Sequence, residues 1–171
     1  ELEFYPGLPD FFATIKNLIE NDPNFKPFNI KLEHYIVSTG FAQMIRGCKI
    51  GNFADGIWGC EFIEDPAPPD FNIDAPYESE SPELSQVALA LDNTSKTRAL
   101  FEINKGANTH NNIDVNSKLD SQNRRVPFEN MIYIADGPSD VPAFSILNQF
   151  GGSTYAIYPR GDSEAFNQVD Q

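Results

Sequence analysis

The stretch ENMIYIADGPSDVPAFS, residues 129–145, governs how the rest of the chain is read. Met131 to Ala135 is an unbroken apolar run, of the kind expected of a parallel strand covered on both faces. Asp136 and Gly137 end it, Gly137 permitting a sharp turn. Helical spacing resumes at Val141, Phe144 and Leu147, with Pro142 tolerated in the first turn. Gly151 and Gly152 stop that helix, and Ser153 to Tyr158 reads as a last strand. Strands alternating with helices predict an α/β domain with a largely parallel sheet, whose ligands gather at the carboxyl ends of the strands. Asp136 leaves such an end and Asp140 follows one helical turn on, so both carboxylates can converge on one hard cation; a turn residue and an N-cap are the ordinary alternatives for the two. Mg²⁺ prefers one or two carboxylates together with waters and a substrate phosphate.

Working outward, two further places carry matching chemistry. Tyr35, Ile36 and Val37 form a short β-rich run that breaks at Ser38, Thr39 and Gly40, before the helical set Phe41, Met44 and Ile45. A hydroxyl, a flexible turn and a helix start offer O–H and backbone N–H donors to an anion; an ordinary N-cap has the same residues. In TSKTRALFEIN, residues 94–104, Thr94 or Ser95 is expected to cap a helix that runs to Gly106. Lys96 then stands at the helix N-terminus, where a cation opposes the macrodipole. A nearby anion explains it; a solvated surface lysine is the alternative.

Elsewhere, Leu8, Phe11, Phe12, Ile15, Leu18 and Ile19 repeat at helical spacing until the Asn21, Asp22, Pro23 cluster. Ile57 to Ile63 reads as a strand, with Trp58, Cys60 and Phe62 alternating, and Val87, Leu89 and Leu91 as another. Between them, residues 64–82 hold Pro66, Pro68, Pro69, Pro76 and Pro82 among many acids, an excursion with no core of its own. Residues 107–128 form a polar insertion containing Arg124 and Arg125. Phe41, Arg46 and Trp58 are weaker candidates to face a substrate, core packing being the ordinary use of the two aromatics.

Composition limits the partners. The 171 residues carry 25 acidic and 12 basic side chains, a formal net charge of −13, which argues against nucleic acid and anionic membranes, since both require clustered Lys and Arg. No apolar run approaches the roughly 20 residues of a membrane span. Cys48 and Cys60 do not combine with His34 and His110 at zinc-ligand spacing, and free thiols fit a reducing cytoplasm.

A strand ending in Ser (YIVSTG), a Lys opening a helix, and a strand ending in the Asp136, Gly137 and Asp140 pattern together resemble the haloacid dehalogenase (HAD) superfamily of phosphohydrolases. In detail, FYPGLPDFF (residues 4–12) and ENMIYIADGPSDVPAFS resemble its bacterial branch related to phosphoserine phosphatase, with a likeness extending from about Phe4 to about Val169. The resemblance implies a Rossmann-type three-layer sandwich over residues 1–171 and an Mg²⁺-dependent phosphatase acting on a small phosphorylated metabolite. It implies that Ser38, with the Thr39 and Gly40 backbone, binds the transferring phosphoryl group, that Lys96 neutralises its charge, that Asp136 ligates Mg²⁺, and that Asp140 ligates it or orients its waters. Lys96 lies forty residues before Asp136, farther than the family usually allows, which keeps Lys105 and Lys118 as alternatives.

One family motif is missing. The family's first strand ends in Asp-x-Asp, whose first Asp attacks phosphorus to give an aspartyl phosphate and whose second is general acid and base. No two aspartates in this chain lie two positions apart. The resemblance therefore implies that this sequence is the carboxyl-terminal portion of a longer protein, inactive alone, with the motif and the cap upstream or on a separate piece. In the family that strand lies between those ending at Ser38 and Asp136, so its absence predicts a split sheet. The alternative is a non-catalytic phosphate- or metal-binding module.

Overall fold

A computed structural model of the chain describes residues 3–67, 70–72, 74 and 83–169. The fold is mixed α/β, its residues gather into two compact units, Glu1–Ala90 and Leu91–Gln171, and most of its strand pairs are parallel.

The first unit opens with helix α1 (Asp10–Asn21) directly after Pro9. Its Phe12 ring meets His34 edge-on at 4.7 Å and stacks on Phe53 at 6.1 Å, while Phe11 and Leu18 stay exposed. Strand β1 (Tyr35–Phe41), the six-residue helix α2 (Ala42–Gly47), β2 (Gly56–Glu64) and β3 (Leu84–Leu89) follow. The sheet order is β1-β2-β3, with β1 parallel to β2 and β3 antiparallel to it.

The break expected at Ser38 is not a break. β1 continues through Phe41, and the helix starts at Ala42. Between Val37 and Phe41 β1 advances four positions while its partner advances two, from Trp58 to Cys60, so Ser38–Gly40 bulges out of register. Gly59 makes room for this: a Cβ there would stand 2.9 Å from the Gly40 carbonyl oxygen and 3.0 Å from the Ala42 nitrogen. The third strand also differs from its expected bounds. It ends at Leu89, leaving Leu91 outside, and Leu84, Val87 and Leu89 are all exposed.

β2 takes in the first residue of the proline- and acid-rich excursion, Glu64. The excursion is pinched at its base, where Asp65 N–H donates to the Glu83 carbonyl at 3.1 Å and Glu83 N–H donates to Asp65 Oδ1 at 3.0 Å. Of its prolines, Pro66 is among the described residues; Pro68, Pro69, Pro76 and Pro82 lie outside them.

The second unit contains α3 (Ser95–Lys105), β4 (Ile132–Ala135), α4 (Val141–Gln149), β5 (Ser153–Ala156) and α5 (Ser163–Val169). β4 and β5 pair in parallel, Ile132 opposite Ser153 and Ala135 opposite Ala156. Ala99, Leu100 and Ile103 of α3, Ala143 and Leu147 of α4, and Phe128 and Met131 form the core. The expectation that β4 is covered on both faces does not hold. Tyr133 faces the helices, its ring edge-on to Phe144 at 5.5 Å, but Ile132 and Ile134 are 67% and 49% exposed. An apolar run records that a strand suits burial, not how many layers cover it.

The start of α3 is fixed by Asp92 rather than by Thr94 or Ser95. Asp92 Oδ1 accepts both the backbone N–H and the hydroxyl of Ser95, each at 2.6 Å, and these bonds hold its carboxyl below the usual aspartate range. Gly106 ends the helix as expected, in the left-handed conformation at φ +86. The polar insertion is built of turns and single-turn 3-10 helices and is tied to α3. Asn104 Nδ2 donates to the Val126 carbonyl at 2.7 Å, Val126 N–H donates back to the Asn104 carbonyl at 3.2 Å, and Phe128 at its end is core. Among the described residues, no helix is long and apolar enough to cross a membrane.

Candidate functional site

The carboxyl end of β4 runs through Asp136 and Gly137 into a 3-10 turn, Pro138–Asp140, that leads straight into α4. Asp140 therefore stands where an N-cap residue would, yet its side chain caps nothing. Its carboxylate turns inward instead, to Lys96 at the start of α3. Lys96 Nζ lies 2.8 Å from Asp140 Oδ1 and donates to Ser139 Oγ at 2.9 Å. The Tyr133 hydroxyl donates to the same Asp140 Oδ1 at 2.7 Å, and Ser139 Oγ donates to Oδ2 at 3.2 Å. Four side chains from three elements are thus joined in one hydrogen-bonded cluster.

Lys96 is 4% exposed and Asp140 5%. The anion expected beside Lys96 is therefore, at the least, a carboxylate of the protein itself. Such a pair is costly to desolvate. Replacing a buried ion pair by apolar side chains is often neutral or stabilising, so its presence is weak evidence of a stability role. The pair lies at the carboxyl end of a strand, the place where α/β sheets gather their ligands, which makes it a candidate site. Tyr133 is held protonated as a donor, its phenol pushed above the usual tyrosine range first by burial and then by the hydrogen bond and negative charge of Asp140.

The geometry separates the three lysines. Lys105 Nζ donates to the Val115 and Ser117 carbonyls at 2.5 and 2.6 Å, pinning the insertion, and Lys118 is exposed in it. Lys96 is the one that reaches the end of β4. Two of the three N–H bonds of its ammonium go to Asp140 and Ser139.

Asp136 is exposed at the strand end, one residue before Gly137. As a hard oxygen donor it suits a divalent cation directly. Asp140 suits an outer role, since its Oδ1 already accepts two protein donors. Among the described residues no three His, Cys, Asp or Glu side chains gather at metal-binding range.

Ser38 belongs to the first unit. Its Oγ accepts the Gly40 N–H at 3.0 Å within the bulge, and Thr39 and Gly40 are exposed. The Thr39 carbonyl accepts the Cys60 thiol at 3.2 Å. Of the weaker candidates, Arg46 pairs with Glu61, Trp58 packs edge-on against Tyr35 at 5.7 Å, and Phe41 leans on Phe62 at 4.8 Å while remaining 44% exposed.

Sequence reasoning missed Tyr133 and Ser139. Tyr133 was legible in principle: a tyrosine inside a buried apolar run carries a hydroxyl that must find a partner.

Among curated proteins, the chain is similar to one from Borreliella burgdorferi described as an uncharacterized protein, 38% identical over 168 residues that make up 96% of this chain and 56% of that protein. The chain thus spans little more than half the length of that relative. No protein-family model matches the chain, and no solved structure matches it.

Proposed function

We propose that this chain carries all but the first motif of an Mg²⁺-dependent phosphomonoester hydrolase of the HAD type, acting on a small phosphorylated metabolite through an aspartyl phosphate formed on an Asp outside this sequence. The observation that carries the reading is the buried Lys96–Asp140 pair, which ties the start of α3 to the carboxyl end of β4. In this reading Lys96 offers its remaining N–H to a phosphoryl oxygen, and Asp140 and Ser139 fix where that ammonium points. In the first unit, the Ser38 hydroxyl is a donor of the kind that suits an anion. Asp136 holds Mg²⁺, which when bound supplies positive charge to the phosphoryl group. These are positioning and electrostatic tasks, most of what phosphoryl transfer asks of a protein.

Among the described residues β1 pairs with β2 and β4 with β5, both in parallel, which suits an α/β reading. The net charge of −13 is compatible with a small phosphorylated ligand held by Lys96 and a cation, and unfavourable for nucleic acid. The absence of an Asp-x-Asp pair from this sequence favours, as a second reading, a module that binds phosphate or metal without turnover.

Hydrolysis of a generic aryl phosphate by the full-length protein with Mg²⁺, compared with Asp136→Asn, tests the proposal. The wild type is expected to turn over and the variant to lose at least about a hundredfold. Equal rates would remove Asp136 from the chemistry, and binding of inorganic phosphate without any turnover would favour the second reading.

A further inference from the structure

Asp140 Oδ1 receives two donors, and only one of them, Lys96, is needed to balance its charge. The other, the Tyr133 hydroxyl at 2.7 Å, comes from the middle of β4, a position where a phenylalanine would pack equally well against Phe144. A phenol buried there adds a polar group that must be desolvated and paired. What it contributes is direction. Asp140 is held at Oδ1 from the strand and from α3, and at Oδ2 by Ser139, so its carboxylate cannot rotate without breaking a charge-assisted bond. Lys96, anchored on that same oxygen and on Ser139, has its ammonium fixed in turn.

We propose that Tyr133 is a positioning residue: its hydroxyl fixes the Asp140 carboxylate and, through it, the direction of the Lys96 ammonium. The effect on Lys96 follows from the geometry alone, whereas the effect on phosphate binding rests on the phosphohydrolase reading. Burial keeps the phenol protonated, so Tyr133 acts as a constant donor.

The test compares full-length wild-type protein with Tyr133→Phe, which removes one O–H and keeps the ring, and with Phe144→Leu, which disturbs the packing of that ring and leaves the O–H. The first measurement is the rate at which Lys96 is acetylated by a small amine-reactive reagent, read by mass spectrometry. Tyr133→Phe is expected to label at least about tenfold faster than wild type, roughly the effect of losing one hydrogen bond to a charged group, and Phe144→Leu to stay within about twofold. The second is the affinity for inorganic phosphate, expected to fall by a similar factor in Tyr133→Phe alone. Unchanged labelling in Tyr133→Phe, or equal acceleration in both variants, overturns the proposal. Faster labelling in Tyr133→Phe alone, with no phosphate binding even by wild type, upholds the positioning role and counts against the phosphohydrolase reading.

Discussion

At the end of β4 a carboxylate, an ammonium, a phenol and a hydroxyl are joined largely out of water, whereas at the end of β1 a single hydroxyl accepts an N–H from two residues along the same strand. The surroundings differ in the same way. The second unit has seven buried apolar side chains among the described residues, and the first has Ala42 alone. A polar group inside a packed core has to be paired, so its partners are fixed by the fold. In an exposed bulge the backbone can turn to water, and Gly59 leaves room for the Gly40 carbonyl and the Ala42 nitrogen to approach β2. The geometry of the cluster is therefore built into the packing of the second unit, while the Ser38 bulge of the first is held by local contacts.

That contrast is broken most directly by removing a buried charge. Asp140→Ala leaves the Lys96 ammonium uncompensated in the core, and hydrogen exchange of the α3 and α4 amides is expected to report a loss of about 3–5 kcal/mol. Replacing both partners, Lys96→Met with Asp140→Leu, is expected to recover more than half of that loss, because the uncompensated charge is gone. No recovery would mean that the cluster is held by packing that the apolar pair cannot reproduce. Ser38→Ala stands at the other extreme. It removes one exposed hydrogen bond and is expected to cost less than about 1 kcal/mol in exchange of the β1 and β2 amides, while lowering aryl phosphate hydrolysis by about tenfold. A large stability loss with unchanged hydrolysis would make Ser38 an ordinary structural serine.

The same contrast explains what could be read in the sequence. Asp136 and Asp140 were legible because an apolar run ends at one and a new helical period begins after the other. Lys96 was legible because a cation at a helix N-terminus runs against the macrodipole. Tyr133 was lost inside the run that revealed β4, counted for its ring and not for its hydroxyl. Asp92 was missed because Asp92, Asn93, Thr94 and Ser95 are all cap formers, and only the backbone decides which one lies in reach. Ser38 to Gly40 has turn chemistry, yet pairing with β2 carries the strand on to Phe41 as a bulge. The open face of β4 was not legible either, since Ile132 and Ile134 look the same in sequence whether one layer covers the strand or two.

The proposed phosphatase function requires Lys96 to act on a phosphoryl group and not merely to fill a core position. Lys96→Gln carries no charge and leaves the Asp140 carboxylate without its counter-ion, so a loss of α3 protection comparable to that of Asp140→Ala is expected with it. Measured as kcat/KM for an aryl phosphate with Mg²⁺ on the full-length protein, under conditions where the variant stays folded, the rate is expected to fall at least about a hundredfold. A rate within about twofold of wild type, with α3 equally protected, would contradict the account.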